Sequence, residues 1–151
     1  MIHEGKVIFR VQPTVVWKII LDVEQFSALM PGVETVTRVD DRTFEGAMKA
    51  RVGPMSGEFA FRAQIVENNP PTHLRVLIEG TDSLTKSTLI SNVSMTLAPM
   101  DLGRTELAYR ADVEIQGRLA IIGDMVLRAA GAEVISEFFN RMRAKVEGMT
   151  C

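Results

Sequence analysis

The sequence predicts an α+β domain in which a curved antiparallel sheet wraps around one long C-terminal helix, with two short helices after the first strand. Two observations support this fold class. From Arg118 to about Glu147 apolar side chains recur at steps of three or four, which indicates one long helix. From Val33 to Gln116 apolar and polar residues alternate, which indicates strands. Curling the sheet around the helix would bury the apolar surfaces of both.

Length and composition predict one soluble domain that spans residues 1–151. The chain has 151 residues, of which 46% are hydrophobic and 24% are charged, enough to form an apolar core. Its formal charge of -2 predicts no nucleic-acid partner. No segment has the ~20 consecutive apolar residues of a membrane span, so we expect at most peripheral membrane contact. The single cysteine, Cys151, allows no intrachain disulfide and favours a reduced cytoplasm.

The first third of the chain reads as one strand followed by two short helices. Alternation from Ile2 to Val11 predicts the strand, and Pro13 sets the turn after it. The segment VVWKIILD predicts a helix that ends at Asp22. The segment VEQFSALM predicts a second helix, which Pro31-Gly32 closes because proline stops helical hydrogen bonding and glycine permits positive φ.

An antiparallel meander with one apolar face is predicted next. A turn at Val52-Gly53-Pro54-Met55 joins two alternating segments into a hairpin, and further turns follow at Asn68 to Pro71, Gly80 to Asp82 and Pro99 to Gly103. The last strand, from Thr105 to Ile115, has the most regular alternation in the chain. Such strands predict a sheet with one apolar face and one solvated face.

The C-terminal segment predicts one uninterrupted helix, about 45 Å long at 1.5 Å per residue. A first apolar stripe consists of Leu119, Ile122, Val126, Ala130, Val134, Phe138, Met142 and Val146. A second line, which widens the buried face, consists of Ile121, Met125, Ala129, Ala132, Ile135 and Phe139. We expect the half from Leu119 to Ala132 to border a pocket and the half from Val134 to Val146 to close the core.

Order and local motifs together resemble a known family. The order of strand, two short helices, meander and long final helix resembles the helix-grip fold of START and birch-pollen-allergen-like domains. Three segments, VWKIILDVEQFSALMPGVETV, KARVGPMSGEFAF and GRLAIIGDMVL followed by EFF, are similar to the CoxG family, named for the G subunit of carbon monoxide dehydrogenase, within the START/polyketide cyclase-like (SRPBCC) superfamily. The resemblance covers nearly the whole chain. It implies a partner, a molybdenum hydroxylase of the carbon-monoxide-dehydrogenase type, served in maturation, membrane recruitment or electron-acceptor delivery.

Catalytic, metal and cofactor motifs are not found in the sequence. His3 and His73 lie in polar surroundings, and we expect both to be exposed surface residues. No spacing of histidine, cysteine and carboxylate residues suggests a metal site, and the glycines form no phosphate-binding loop. Cys151 has no identifiable base partner. Asp82 would be a candidate acid only if it pointed inward.

The apolar concavity between sheet and helix is therefore the candidate site, for a hydrophobic small molecule such as a quinone or lipid. We expect sheet residues to face helix residues across it, with two residues of the second short helix as a lid. The set is Met48, Phe59, Phe61, Val76, Ile78, Met95, Leu107 and Tyr109 on the sheet, Ile122, Met125, Val126 and Ala129 on the helix, and Leu29 and Met30 in the lid. Tyr109 and the hydroxyl group of either Ser91 or Thr105 could supply the few polar contacts. The alternative is that the same residues form a filled core, since any sheet needs an apolar face.

The sequence thus favours a non-catalytic binding protein over an enzyme. One alternative is an assembly factor that docks the hydroxylase through its outer surface while its interior is packed. Another is an enzyme of the cyclase or hydrolase type acting on an apolar substrate. The oligomeric state, the ligand and the particular hydroxylase are left open by the sequence.

Overall fold

A computed structural model describes residues 1–52 and 55–148 of the chain. It contains seven strands, three α-helices and two short 3₁₀ segments, Asp101–Gly103 and Arg118–Ile122, among these residues. In chain order the elements are β1 Ile2–Phe9, α1 Pro13–Leu21, α2 Val23–Leu29, β2 Val33–Asp40, β3 Thr43–Val52, β4 Met55–Asn69, β5 His73–Asp82, β6 Thr88–Met100, β7 Arg104–Gln116 and α3 Asp124–Gly148. The predicted turn residues Gly53 and Pro54, and Cys151, lie outside the described residues.

The strands form one curved antiparallel sheet in the order β1-β7-β6-β5-β4-β3-β2. This confirms the predicted fold class. The structure adds that β1 pairs with β7, which the sequence did not predict. Helix α3 lies against β1 at one edge of the sheet and against β3 near the other edge. The sheet therefore curves around the helix, as the sequence predicts.

Local sequence explains the two short helices between β1 and β2. Pro13 occupies the first turn of α1, where its fixed φ and missing N–H carry no penalty. Asp22 ends α1 and begins α2, because its Oδ1 accepts hydrogen bonds from the backbone N–H groups of Glu24, at 3.1 Å, and Gln25, at 3.2 Å. Gly32 follows with φ +85°, and any side chain there would overlap the carbonyl oxygen of Lys49.

The main core lies between α1, the C-terminal half of α3 and strands β1 and β4 to β7 of the sheet. From α3 it includes Phe138, Phe139, Met142 and Val146, all buried. These side chains confirm the expectation that the half from Val134 to Val146 closes the core. The other members are Phe9, Val11, Val16, Trp17, Ile19, Ile20, Leu29, Ile65, Leu74, Met95, Leu97 and Leu107.

The prediction of one uninterrupted C-terminal helix is wrong. Gly117 and Gly123 both have positive φ, +101° and +102°, and they bracket the 3₁₀ segment Arg118–Ile122. Helix α3 begins only at Asp124 and has 25 residues. At 1.5 Å per residue it is about 37 Å long rather than about 45 Å. The apolar periodicity continues across the break, which is why periodicity alone did not reveal it.

Candidate functional site

The inner face of the sheet carries half-buried apolar side chains beyond the main core. Met48, Phe61 and Ile78 lie on β3, β4 and β5, and the strand register places all three on one face. The register pairs Met48 with Phe59, and Ile78 with Ser91, which is buried. Met48, Phe61 and Ile78 are only half-buried, whereas the core side chains are buried. This part of the inner face therefore keeps apolar surface that a ligand can contact.

Two aromatic rings form the floor of this region because glycines face them. The ring of Phe61 lies over Gly46, where an added Cβ would be 2.9 Å from Phe61 Cζ. The ring of Phe59 lies near Gly57 and Gly80, at 2.9 Å and 3.8 Å from the Cβ positions of those glycines. Glycine in a strand commonly marks such a close approach. We call Met48, Phe59, Phe61 and Ile78 the sheet floor.

On the helix side, two of the four predicted ligand contacts are placed differently from the expectation. Ile122 and Val126 are half-buried. Met125 is 85% exposed and Ala129 is also exposed. The expectation that both face the sheet is therefore wrong. Because Gly123 breaks the helix, α3 starts with a new phase and Leu127 takes the buried position in its first turn.

The remaining predicted site residues belong to the core or lie at its border. Leu29, Met95 and Leu107 are buried members of the core and present almost no surface. Met30 and Val76 are half-buried and pack against that core. They therefore lie at the border between the core and the sheet floor.

Tyr109 belongs to the β1 side of the sheet rather than to the sheet floor. Its ring centroid lies 4.9 Å from that of Phe139, and its ring covers Gly5 of β1. Of the two predicted hydroxyl groups, Thr105 Oγ1 donates to the carbonyl oxygen of Val11 at 2.7 Å and is fully buried. Ser91 is buried on the inner face and pairs with Ile78 of the sheet floor.

Among the described residues one carboxylate, that of Asp82, is buried, and its hydrogen bonds are made within its own loop and with the neighbouring strand. Asp82 is fully buried and accepts hydrogen bonds from Thr85 Oγ1 at 2.6 Å, the N–H of Thr85 at 3.0 Å and the N–H of Glu58 at 2.9 Å. Burial alone would raise the pKa of Asp82, but the hydrogen bonds from Thr85, Glu58 and Leu84 outweigh it and hold this pKa below its usual value. An ionised carboxylate with this many donors is suited to fixing a loop, not to donating a proton.

His3 is not the exposed surface residue that the sequence suggests. Its side chain is half-buried, and its Nε2 atom is buried with no hydrogen-bond partner among the described residues. Burial lowers the pKa of His3, and the positive charges of Arg128 and the N-terminus lower it further. His73 is also half-buried, between Glu67 Oε2 at 3.0 Å and Thr96 Oγ1 at 3.1 Å.

A cleft of about 620 Å³ lies beside His3, between β1 and α3. Its lining includes Val7, Tyr109, Arg128 and Phe139. No local pattern predicts this cleft, since His3 and Arg128 are far apart in the sequence. Gly131 within the helical pattern is the one signal in the sequence, since a glycine there is compatible with close packing or with a cavity. A Cβ there would lie 2.7 Å from His3 Nε2, so this glycine allows close packing.

The described residues offer neither a metal site nor a membrane-spanning helix. No group of three or more histidine, cysteine, aspartate or glutamate residues is arranged to hold a metal ion in residues 1–52 and 55–148. Within the same residues, no helix is long and apolar enough to cross a bilayer.

Comparison with known families and structures gives one family and one fold. The family model of CoxG, the G subunit of carbon monoxide dehydrogenase, matches residues 5–147. No curated protein matches the chain.

Solved structures with the same fold are similar over nearly the whole chain at low sequence identity. A conserved protein from Geobacillus kaustophilus has a TM-score of 0.91 at 18% identity, covering 98% of this chain and 96% of that one. A START superfamily protein from Mycobacterium smegmatis has a TM-score of 0.74 at 12% identity, covering 98% of each chain. An aromatase/cyclase from Streptomyces sp. R1128 has a TM-score of 0.74 at 14% identity, covering 100% of this chain and 96% of that one. At such identities the likeness shows the START-like fold alone.

Proposed function

The chain belongs to the CoxG family, that of the carbon monoxide dehydrogenase G subunit, and we propose that it is a non-catalytic protein that holds a hydrophobic ligand, a quinone or a lipid-like molecule. The ligand lies between the sheet floor and two half-buried residues, Ile122 at the end of the 3₁₀ segment and Val126 in the first turn of α3. In this proposal the protein is a cytoplasmic accessory to a molybdenum hydroxylase of the carbon-monoxide-dehydrogenase type, in maturation, membrane recruitment or electron-acceptor delivery.

The observation that carries this proposal is the division of the inner face into two parts. The core takes Leu107 and Met95 from the sheet and Phe138, Phe139, Met142 and Val146 from the C-terminal half of α3, all of them buried. Met48, Phe61 and Ile78 share the same face, yet they are only half-buried. A domain with a fully packed interior would bury these large apolar side chains, since each buried one contributes about 1.5–3 kcal/mol. A hydrophobic ligand on this surface would supply the missing burial.

The chemistry of the inner face supports binding rather than catalysis. Asp82, the one carboxylate that is buried in residues 1–52 and 55–148, is ionised and hydrogen-bonded to Thr85 and Glu58. Ser91, the buried hydroxyl that pairs with Ile78, has no neighbouring histidine to act as a base in the strand register. The remaining floor groups are thioether, aromatic and aliphatic, which bind apolar molecules without reacting with them.

The test is mass spectrometry of the organic extract from gently purified protein, with two tryptophan variants. Ile78→Trp adds bulk on the inner face, and Ile90→Trp adds the same bulk on the outer face, where Ile90 is exposed. We expect a co-purifying apolar molecule in the native protein and in Ile90→Trp, and its loss in folded Ile78→Trp. Extracts without any bound molecule, together with no uptake from a panel of quinones and phospholipids, would contradict the proposal.

A second candidate function, docking of the hydroxylase through the outer surface, is favoured by one cluster of exposed apolar side chains. Leu84, Ile121 and Met125 are 77%, 83% and 85% exposed. They lie at the same end of the molecule, because Ser87 Oγ accepts a hydrogen bond from the N–H of Leu119 at 3.0 Å and joins their two segments. Single exposed apolar residues are ordinary, whereas a group of them is typical of an interaction surface.

Two variants distinguish docking from ligand binding. If docking is the function, Ile121→Ser with Met125→Ser should abolish hydroxylase maturation while Ile78→Trp leaves it intact. If ligand binding is the function, Ile78→Trp should impair the hydroxylase. Maturation assays with both variants decide between the two.

A further inference from the structure

The two edge strands of the sheet, β1 and β2, differ in regularity. Strand β2 pairs with β3 with register shifts between Val33 and Thr35 and between Arg38 and Asp40. Such irregularities bend an edge strand and discourage its pairing with another chain. Strand β1 pairs with β7 without a register shift over its eight residues. Strand β1 is therefore the edge that is better suited to accept a further strand.

The backbone of β1 presents hydrogen-bonding groups along this edge. Just before the strand, Met1 and Val113 exchange two hydrogen bonds, from Met1 N to the oxygen of Val113 at 2.6 Å and from Val113 N to the oxygen of Met1 at 2.8 Å. In an antiparallel ladder such hydrogen-bonded pairs alternate with pairs whose N–H and C=O groups point away from the neighbouring strand. The even-numbered residues from Ile2 to Ile8 therefore direct their N–H and C=O groups away from β7.

Two side chains of α3 reach the ends of this edge and leave its middle open. Arg128 Nη1 donates to the carbonyl oxygen of Ile2 at 3.3 Å, and Arg143 Nη1 donates to that of Ile8 at 2.7 Å. Both hydrogen bonds agree with the outward direction of these two carbonyl groups. Between them, the outward backbone groups of β1 have no hydrogen-bond partner among the described residues.

The space beside the middle of β1 is the cleft of about 620 Å³ that separates this strand from α3. From the helix side it is lined by Ala132, Ser136 and Asn140, which are exposed. These residues recur every four positions and so lie along one face of the helix. Because their side chains are short, a further strand can approach to the usual spacing of about 4.8 Å from β1.

The outer side chains of β1 are complementary to those of a second copy of the same strand. Ile2, Glu4, Lys6 and Ile8 alternate with the buried side and are all exposed. Antiparallel pairing about a twofold axis at Gly5 places Glu4 opposite the partner's Lys6. The same register places Ile2, 40% exposed, opposite the partner's Ile8, 39% exposed. Opposite charges and apolar side chains directly across a ladder stabilise it, whereas like charges there destabilise it.

This register also satisfies the outward backbone groups of β1. Every even-numbered residue meets an even-numbered residue of the partner, so outward N–H and C=O groups face each other. Glu4 and the partner's Lys6 can therefore exchange both of their N–H···O bonds. A carbonyl oxygen has two lone pairs, so those of Ile2 and Ile8 can accept from the partner while they keep their arginine donors.

We propose that this protein forms a symmetric dimer in which β1 pairs antiparallel with β1 of a second copy, about a twofold axis at Gly5, and joins the two sheets. The contact is isologous, so each favourable pair of side chains occurs twice. Lysine on an edge strand commonly discourages pairing between copies, but in this register each Lys6 meets a glutamate. The interface does not involve the sheet floor and therefore does not depend on the proposed function.

The test is analytical ultracentrifugation across the micromolar concentration range, in which we expect the native chain to be a dimer. Lys6→Glu and Glu4→Lys should each raise the dissociation constant by about tenfold or more, because like charges then face each other twice. The matched control is Lys49→Glu on β3. Lys6 lies 3.6 Å from Glu106 and Lys49 lies 3.5 Å from Glu34, with side chains 69% and 64% exposed, so both substitutions remove a similar ion pair. Lys49→Glu should leave the dissociation constant unchanged.

A mixture of the two charge-reversal variants separates this register from a general effect on folding. In the mixture each chain meets opposite charges at both positions, so a heterodimer should form although each variant alone dimerises weakly. Amide hydrogen exchange of the native chain gives a second readout. The N–H groups of Glu4 and Lys6 should become protected as the protein concentration rises.

Four results would overturn the proposed dimer. These are a native chain that is monomeric across the whole range, a Lys6→Glu variant that dimerises as tightly as the native chain, a mixture that dimerises no better than its components, and exchange of the Glu4 and Lys6 amides that does not change with concentration.

Discussion

The imidazole of His3 packs directly against Gly131, so that a methyl group at position 131 would lie 2.7 Å from His3 Nε2 and 3.1 Å from Cε1. One residue comes from the N-terminal edge strand and the other from the last helix. Their contact sets how closely α3 approaches β1. It explains why a residue with poor helix propensity occupies this turn.

Gly131→Ala should destabilise the protein, although alanine is the better helix former by about 1 kcal/mol. The new methyl group displaces the His3 ring or moves α3 away from β1. Urea denaturation should show a lower free energy of unfolding than for the native protein. In a His3→Ala background the same substitution should become neutral or stabilising. A stabilising effect of Gly131→Ala in the native background would contradict the contact.

Asp82→Asn should lower the free energy of unfolding at pH 7 by roughly 1–3 kcal/mol, because the amide cannot accept every hydrogen bond that Asp82 accepts now. The pKa of Asp82 is lower in the folded protein than its ordinary value of 3.8. Its contribution is therefore present above pH 3.8 and lost as the pH falls through the folded pKa. Urea titrations at several acid pH values should show a shallower loss of stability in the variant than in the native protein. An unchanged slope would mean that Asp82 does not contribute to the acid dependence.

The core and the sheet floor should respond differently to truncation of a side chain. Leu107→Ala removes a fully buried side chain and should cost about 2–5 kcal/mol in urea denaturation. Ile78→Ala removes a half-buried side chain and should cost less, below about 2 kcal/mol in the absence of ligand. Equal losses would indicate that the floor is part of a filled core.

Ending the chain after Gly131 should prevent folding. The shortened chain loses Phe138, Phe139, Met142 and Val146, which fill the main core. Far-ultraviolet circular dichroism and dispersion of the NMR signals measure the outcome. A folded, cooperatively melting fragment would contradict the assignment of this half of α3 to the core.

Much of the fold follows from local sequence patterns. Alternation predicts the strands and their inner face, and steps of three or four predict which side of α3 is buried from Phe138 to Val146. The break at Gly123 could not be predicted, because a glycine within an apolar helical pattern is compatible with both a continuous and a broken helix.

The candidate site was less predictable, because it depends on helix phase and on long-range contacts. Met125 and Ala129 continue an apolar line in the sequence, yet the new start of α3 turns both toward solvent. The contact between His3 and Gly131 joins distant parts of the chain, and no local pattern reports it. The sequence identified Asp82 as a candidate acid if its side chain pointed inward. It did not predict the hydrogen bonds that Asp82 accepts from Thr85 and Glu58.

The measurement that tests the central proposal most directly is a crystal structure of the protein purified with its co-extracted molecule. The proposal predicts elongated density between Phe61 and Ile78 on the sheet and Val126 on α3. Well-ordered side chains from both elements that pack against each other there, with the molecule bound only on the outer surface, would contradict it.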